Sequence, residues 1–203
     1  MSQQEFWNSK FNRPDHFYGT EPNAFIRDQS QRITSEGRVL CLGEGEGRNA
    51  LYLAKEGHDI VALDASDIGL QKAKELIHAH GHTIATLHID LQEWQPEKEE
   101  YDAIVTSFLH LPYPLRREVL KGCVASLKSG GVFIGEFFSK QQLDYSSGGP
   151  KDPGLLYSVE EIAEDLKDES IEIGCLEECT TNLDEGPGHQ GEASVVRVIF
   201  KKA

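Results

Sequence analysis

Short apolar runs alternate with amphipathic stretches through the first two thirds of the chain. Residues 38–42, 59–63, 83–89, 101–108 and 132–138 read as strands, and the fourth is continuously apolar, as buried parallel strands are. Between them, 49–56 puts Ala50, Leu51, Leu53 and Ala54 on one helical face, and Gly57 stops that helix. A second helix over 66–80 spaces Leu70, Ala73, Leu76 and Ile77 for burial, and a third covers 114–127. Ser129-Gly130-Gly131 then turns the chain into the fifth strand. Strand alternating with helix predicts an open parallel sheet covered on both faces.

The tail breaks this rhythm. A short helix over 158–166 opens at Ser158 with Glu161 three residues on, a capping-box arrangement. Residues 171–181 and 193–201 read as strands with only a glycine-rich loop (Glu185-Gly-Pro-Gly-His189) between them. Without a crossover helix they pair antiparallel. The expected architecture is α/β: a doubly wound, mostly parallel seven-stranded sheet closed by an antiparallel C-terminal hairpin. It forms one domain over residues 1–203, with residues 1–30 as an N-terminal cap or lid.

Charge narrows the partners. The chain has 203 residues, 34 Asp and Glu against 20 Lys and Arg, and a formal charge of −14. A field of that sign repels phosphate backbones and anionic headgroups, so neither nucleic acid nor membrane is expected as a partner. No run approaches the roughly 18 apolar residues of a membrane span, and no signal-peptide stretch is present; a soluble, cytoplasmic protein is expected. Cys41 and Cys123 sit in apolar runs as packed thiols, and Cys175 and Cys179 lack a second pair at zinc-ligand spacing. His78, His80 and His82 end a helix, where imidazoles suit the dipole, and read as surface; no metal is expected.

The chemistry begins at Gly43-Glu44-Gly45-Glu46-Gly47, which follows a strand and opens a helix. Alternate glycines let the backbone turn sharply and a ligand approach it closely. A pyrophosphate would seek the amides of the helix N-terminus, and two glutamates there would repel it. A ligand with ammonium and sulfonium charges and a single carboxylate, such as S-adenosylmethionine, suits an acidic turn better. Asp64 ends the second strand 17 residues after Gly47, where a carboxylate can accept both ribose hydroxyls. Asp90 ends the third strand, where a carboxylate can meet an adenine amino group.

The run from Val39 to Ala54 (VLCLGEGEGRNALYLA), followed by Ala62-Leu-Asp-Ala-Ser66, resembles the class I S-adenosylmethionine-dependent methyltransferases. Among these it is most similar to the tellurite-resistance and thiopurine-type small-molecule enzymes. Phe17-Tyr-Gly-Thr-Glu-Pro-Asn23, Ser147-Gly-Gly-Pro-Lys-Asp-Pro153 and Glu185-Gly-Pro-Gly-His-Gln-Gly191 are also like that group. The resemblance implies that the backbone at Gly43, Glu44 and Gly45 holds the methionine part, Asp64 the ribose, Ala65 the adenine face, and Asp90 with Leu91 the adenine edge. Ser107 would lie near the methionine carboxylate or amino group. Many such enzymes carry an acid where this chain has Cys41, and Glu44 or Glu46 is the available substitute.

On the acceptor side, in-line transfer needs the nucleophile about 3 Å from the methyl carbon and water excluded. A thiolate or a tellurium or selenium oxyanion needs little base assistance; oxygen or nitrogen nucleophiles need more. His110 follows the fourth strand and can act as base or orient a substrate, or be a loop histidine beside Pro112. Of the N-terminal aromatics, Tyr18 is expected to close as a lid over cofactor and substrate and to contact the cofactor, and Phe6 to pack permanently. Glu136, His189 and Arg197 are rim residues with structural roles. The leading function is methyl transfer to a small molecule. A nicotinamide-dependent oxidoreductase and a non-catalytic binder of S-adenosylmethionine or S-adenosylhomocysteine are the alternatives. No motif specifies the acceptor or an oligomeric state.

Overall fold

The computed structural model describes all of residues 1–203. Strands β1 (Arg38–Leu42), β2 (Asp59–Asp64), β3 (Ala85–His88), β4 (Tyr101–Ser107), β5 (Leu127–Phe138), β6 (Ile171–Glu185) and β7 (His189–Lys202) form one sheet in the order β3-β2-β1-β4-β5-β7-β6. The first five are parallel; β7 runs antiparallel to both β5 and β6. This is the expected doubly wound sheet with its terminal hairpin.

Alternation along the strands splits the core. Leu40 and Leu42 point to one face, where Leu120, Cys123 and Val124 of α5 (Leu115–Ser126) and Ile162 and Leu166 of α6 (Val159–Leu166) meet them. Val39 and Cys41 point to the other, against Phe25 and Ile26 of α2 (Ala24–Gln29), Ala50 and Leu53 of α3 (Arg48–Lys55), and Ile77 of α4 (Asp67–Ala79). Leu40 is fully buried, and truncating it to Ala costs about 2–5 kcal/mol.

Several boundaries move, each for a local reason. The Ser129–Gly131 turn becomes a bulge inside β5: Tyr101 pairs with Leu127 but Ala103 with Val132, so residues 128–131 loop out of an otherwise continuous strand. β6 extends to Glu185 because its hairpin register with β7 is kept to the turn, Glu185 facing His189. β3 is a short edge strand ending at His88, so Asp90 lies two residues beyond it. β4 ends at Ser107, because Phe108 takes a left-handed φ of 54°. At the helix over 159–166, Ser158 accepts from the Glu161 amide, whereas the Glu161 carboxylate turns to Arg116 and Lys140. The complete capping box lies elsewhere, at Ser2 and Glu5, opening α1 (Gln3–Phe11).

α1 packs across α4. Asn8 and Gln4 both donate to Asp67, and Ser66 donates to Asn8. Phe6 does not pack as expected: it is 41% exposed, touching Trp7 edge-on, while Phe11 on the opposite side of α1 is buried.

Candidate active site

A crevice opens beyond the carboxyl ends of the parallel strands, where open α/β sheets bind their ligands. It holds a cavity of about 240 Å³. The turn after β1 supplies its floor. Gly43 and Gly45 have φ of 66° and 62°, which side-chain-bearing residues rarely adopt, and a Cβ on Gly43 would lie 2.7 Å from Leu109. The Gly43 and Glu44 amides both donate to the Leu63 carbonyl, fixing the turn beside the end of β2.

All ten residues singled out from the sequence line this one cavity: Gly43, Glu44 and Gly45 on the turn, Asp64 and Ala65 after β2, Asp90 and Leu91 after β3, Ser107 and His110 after β4, and Tyr18 from the N-terminal segment. Asp64 accepts the Gly45 amide at 2.8 Å and the Ser66 amide at 2.7 Å, one on each carboxylate oxygen. Each oxygen therefore keeps acceptor capacity for a second donor. Burial holds this carboxyl up at about 6, against those two hydrogen bonds, which lower it. Asp90 accepts the Gln92 amide.

The two glutamates of the turn act differently. Glu44 accepts the Ala50 amide at 2.7 Å, so its carboxylate sits on the first turn of α3; burial pushes it up to about 7. Glu46 turns the other way, accepting the Phe17 amide and pairing with Lys72. Lys72 also donates to the carbonyls of Phe11, Arg13 and Asp15. One lysine thus ties the N-terminal segment to the glycine turn.

On the acceptor side, His110 lines the cavity with its Nδ1 buried and without a hydrogen-bond partner. Burial, then the charges of His189 and Lys10, push its pKa down to about 3, so the ring is a neutral imidazole and a weak base. Tyr18 packs on His189 with ring centroids 4.4 Å apart, and burial raises its hydroxyl to about 12. Gly188 makes that contact possible, because a Cβ there would lie 2.5 Å from the Tyr18 ring.

Sequence patterning missed a buried polar network behind this wall. Asn49 donates to Ser107 at 3.0 Å and accepts the Asn23 amide at 2.9 Å; Asn23 in turn donates to Glu136 and Glu185. Arg48 lies 2.9 Å from Glu185, and Arg197 donates to Glu136 at 2.8 Å. The sole available signal was polar side chains at positions that otherwise read as apolar helix or strand. No group of three or more His, Cys, Asp or Glu is placed to hold a metal ion.

Residues 39–131 match the family model described as a methyltransferase domain. The chain is 32% identical over 117 residues to the 2-heptyl-1-hydroxyquinolin-4(1H)-one methyltransferase of Mycobacteroides abscessus, covering 56% of this chain and 52% of the relative. It is 31% identical over 119 residues to a shikimate dehydrogenase (NADP(+)) of Bacillus cereus, covering 57% and 42%. The chain thus spans about half, or less, of the length of these curated relatives. Its fold is that of TehB from Haemophilus influenzae (TM-score 0.72, 22% identity, covering 100% of this chain and 68% of the other). It is likewise that of the N-methyltransferase NodS from Bradyrhizobium japonicum, solved with S-adenosyl-L-homocysteine (TM-score 0.71, 14% identity, 100% and 99%).

The group to be tested against this crevice is S-adenosylmethionine, the cofactor that the glycine turn and Asp64 lead one to expect. The crevice has the donor set for it. Asp64 offers a two-oxygen acceptor to adjacent hydroxyls, and the cavity carries carboxylates at Glu44, Glu46, Asp64 and Asp90 that suit a cationic ligand. The start of α3, where a dinucleotide pyrophosphate would need free amides, is occupied by the chain's own Glu44.

Proposed function

We propose that this chain is an S-adenosylmethionine-dependent methyltransferase acting on a small-molecule acceptor that presents a soft nucleophile. The observation that carries the reading is Asp64: a carboxylate at the end of β2, already oriented by two backbone amides, beside a turn whose helix N-terminus is filled by Glu44. Bound S-adenosylmethionine supplies a methyl group activated on a sulfonium. The chain's residues bind and orient it: the backbone of Gly43, Glu44 and Gly45 along the methionine, Asp64 at the ribose, Ala65 at the adenine face, Asp90 and Leu91 at its edge, and Ser107 near the amino-acid end.

Residues 1–30 form the cap of a single-domain enzyme, and Tyr18 closes the acceptor side. His110 orients the acceptor through a neutral ring rather than taking its proton; with its pKa pushed down to about 3, it favours acceptors that need little base assistance. Thiols, tellurite and selenite are soft acceptors of that kind, and the thiol suits the lining best. The aromatic acceptor of the Mycobacteroides relative is consistent with a flat organic molecule. We place the enzyme in the cytoplasm, with neither nucleic acid nor membrane as partner; all four cysteines are unpaired, and no helix is long and apolar enough to cross a membrane.

The test is turnover. Incubated with S-adenosylmethionine and, separately, a thiol, tellurite and selenite, the purified protein is expected to form S-adenosylhomocysteine faster than without acceptor in at least one case. Tight cofactor binding with no product from any acceptor would make the chain a non-catalytic binder and contradict the reading.

A further inference from the structure

At the acceptor end of the cavity, rings touch one another in a closed circuit; Trp7, Phe11, Tyr18, His110 and His189 line the cavity and Phe138 lies buried behind them. Trp7 stacks on Phe11 (5.6 Å between centroids), Phe11 meets Tyr18 edge-on (6.3 Å), and Tyr18 packs on His189 (4.4 Å). His189 meets Phe138 (5.1 Å), Phe138 stacks on His110 (5.9 Å), and His110 stacks on Trp7 (6.3 Å), closing the loop. Three segments far apart in sequence build it: α1 with its following loop, the β4–β5 ends, and the β6–β7 hairpin.

Charge inside this circuit is controlled by one pair. Arg48 is the sole lysine or arginine lining the cavity, and it is 7% exposed. Glu185 lies 2.9 Å from its Nη1 and also within 3.2 Å of His189 Nδ1. Burial pushes the Glu185 carboxyl up, but the hydrogen bond from His189 and the Arg48 charge outweigh it and hold it below the usual range, so it stays ionised. Both imidazoles of the circuit are held down by burial and are neutral. Lys10 sits on the outer side, over the rings of Phe6, Trp7 and Phe17, and does not line the cavity. Among the groups that line the cavity, an anion meets aromatic faces at this end, carboxylates at the cofactor end and no unpaired cation; Lys10 stands outside the lining, where its charge still reaches both imidazoles.

We propose that Glu185, by neutralising Arg48 at the wall of this aromatic chamber, sets the acceptor as an uncharged nucleophile and excludes oxyanions. This rests on the methyltransferase reading above. An uncharged acceptor forms its new bond to the methyl carbon with its own lone pair while the carbon–sulfur bond breaks and that pair stays on sulfur. For an acceptor without a proton on the nucleophile the positive charge passes from sulfonium to acceptor; a thiol gives its proton to water as its bond to the methyl carbon forms. Aromatic faces suit that sequence, because they attract a cation throughout. An anionic acceptor must instead shed its hydration with only the sulfonium to compensate it.

The test uses two isosteric thiols, para-(mercaptomethyl)benzamide and para-(mercaptomethyl)benzoate, titrated against the protein saturated with S-adenosylhomocysteine, with tellurite as a third ligand. Tryptophan fluorescence and calorimetry give binding without turnover. The amide is expected to bind at least about tenfold more tightly than the carboxylate, with tellurite not competing. In Glu185→Gln, which frees Arg48, the preference is expected to shrink or reverse. Equal or tighter binding of the carboxylate or tellurite by the unaltered protein overturns the proposal, as does absence of binding by the amide. An unchanged preference in a folded Glu185→Gln protein removes Glu185 from it. Saturation with S-adenosylhomocysteine is read first; its failure counts against the methyltransferase reading itself.

Discussion

The two ends of the crevice are built by different means. The cofactor end comes mostly from one contiguous stretch, β1 to the loop after β3, where glycines and strand-end carboxylates present backbone and fixed acceptors, with Ser107 added from β4. The acceptor end is assembled from segments far apart in sequence, Asn23 and Glu185 being 162 residues apart, and its walls are aromatic. One half is a local device that strand twist and turn chemistry produce wherever a strand meets a helix. The other exists only when the whole sheet and the N-terminal segment have docked. The two ends can therefore vary separately: substitutions at Trp7, Tyr18 or Glu185 leave the glycine turn untouched.

Among substitutions at the crevice itself, the largest stability effect is expected where the cofactor half is held to the fold. In Gly47→Ala, the new Cβ would lie 2.7 Å from Ala73 at a φ of 95°. Overpacking and backbone strain together are expected to cost about 2–4 kcal/mol, read as a lowered denaturation midpoint. Cofactor affinity lost with no loss of stability would show that this glycine serves the ligand rather than the packing of α3 on α4.

Lys72 joins the halves, so Lys72→Met tests whether they are separable. It removes the Glu46 pair and three carbonyl contacts, at an expected cost of about 2 kcal/mol. The KM for acceptor should rise several-fold more than the dissociation constant of cofactor. Equal changes in both would erase the distinction.

A pH series isolates the cofactor half. Asp64 sits at about 6 in the free protein, so it gains a proton as pH falls through that value and loses acceptor capacity towards ligand hydroxyls. Cofactor affinity is expected to be level above that range and to fall by up to about tenfold per pH unit below it. Asp64→Asn should be weaker at all pH and lack that slope. The smallest effect belongs to Phe6, on the exposed side of α1: Phe6→Ala should shift stability by under about 0.5 kcal/mol and leave both ligands' binding unchanged.

The same division explains what could be read from sequence. β1, β2 and β4 carry uninterrupted apolar runs ended by Gly, Asp or Ser, so their existence, and the convergence of the glycine turn with Asp64 and Asp90 on one crevice, follow from period and terminators, whereas the place of Ser107 comes from the family resemblance. β6 runs past the expected 171–181 because Asn182-Leu-Asp-Glu185 is mostly polar sequence that reads as loop yet keeps its pairing with β7. α1 carried its start signal in Ser2 and Glu5 but a weakly separated apolar face, and Phe6 looked like core although it points outward. The Asn23–Glu136–Glu185–Arg48 network has no local signature, because each partner lies on a different element and is buried only by tertiary packing. The share taken by Glu44 in capping α3, rather than in facing ligand, is likewise a matter of one rotamer.

The most direct test is calorimetric titration of the purified chain with S-adenosylmethionine, S-adenosylhomocysteine and NADP(+), repeated on Asp64→Ala. Binding of both sulfur ligands, weakened at least about a hundredfold in the variant and absent for NADP(+), is the expected result, since two hydrogen bonds to a carboxylate are worth about 3 kcal/mol or more together. Binding of NADP(+) with neither sulfur ligand would contradict the account and return the glycine turn to dinucleotide chemistry.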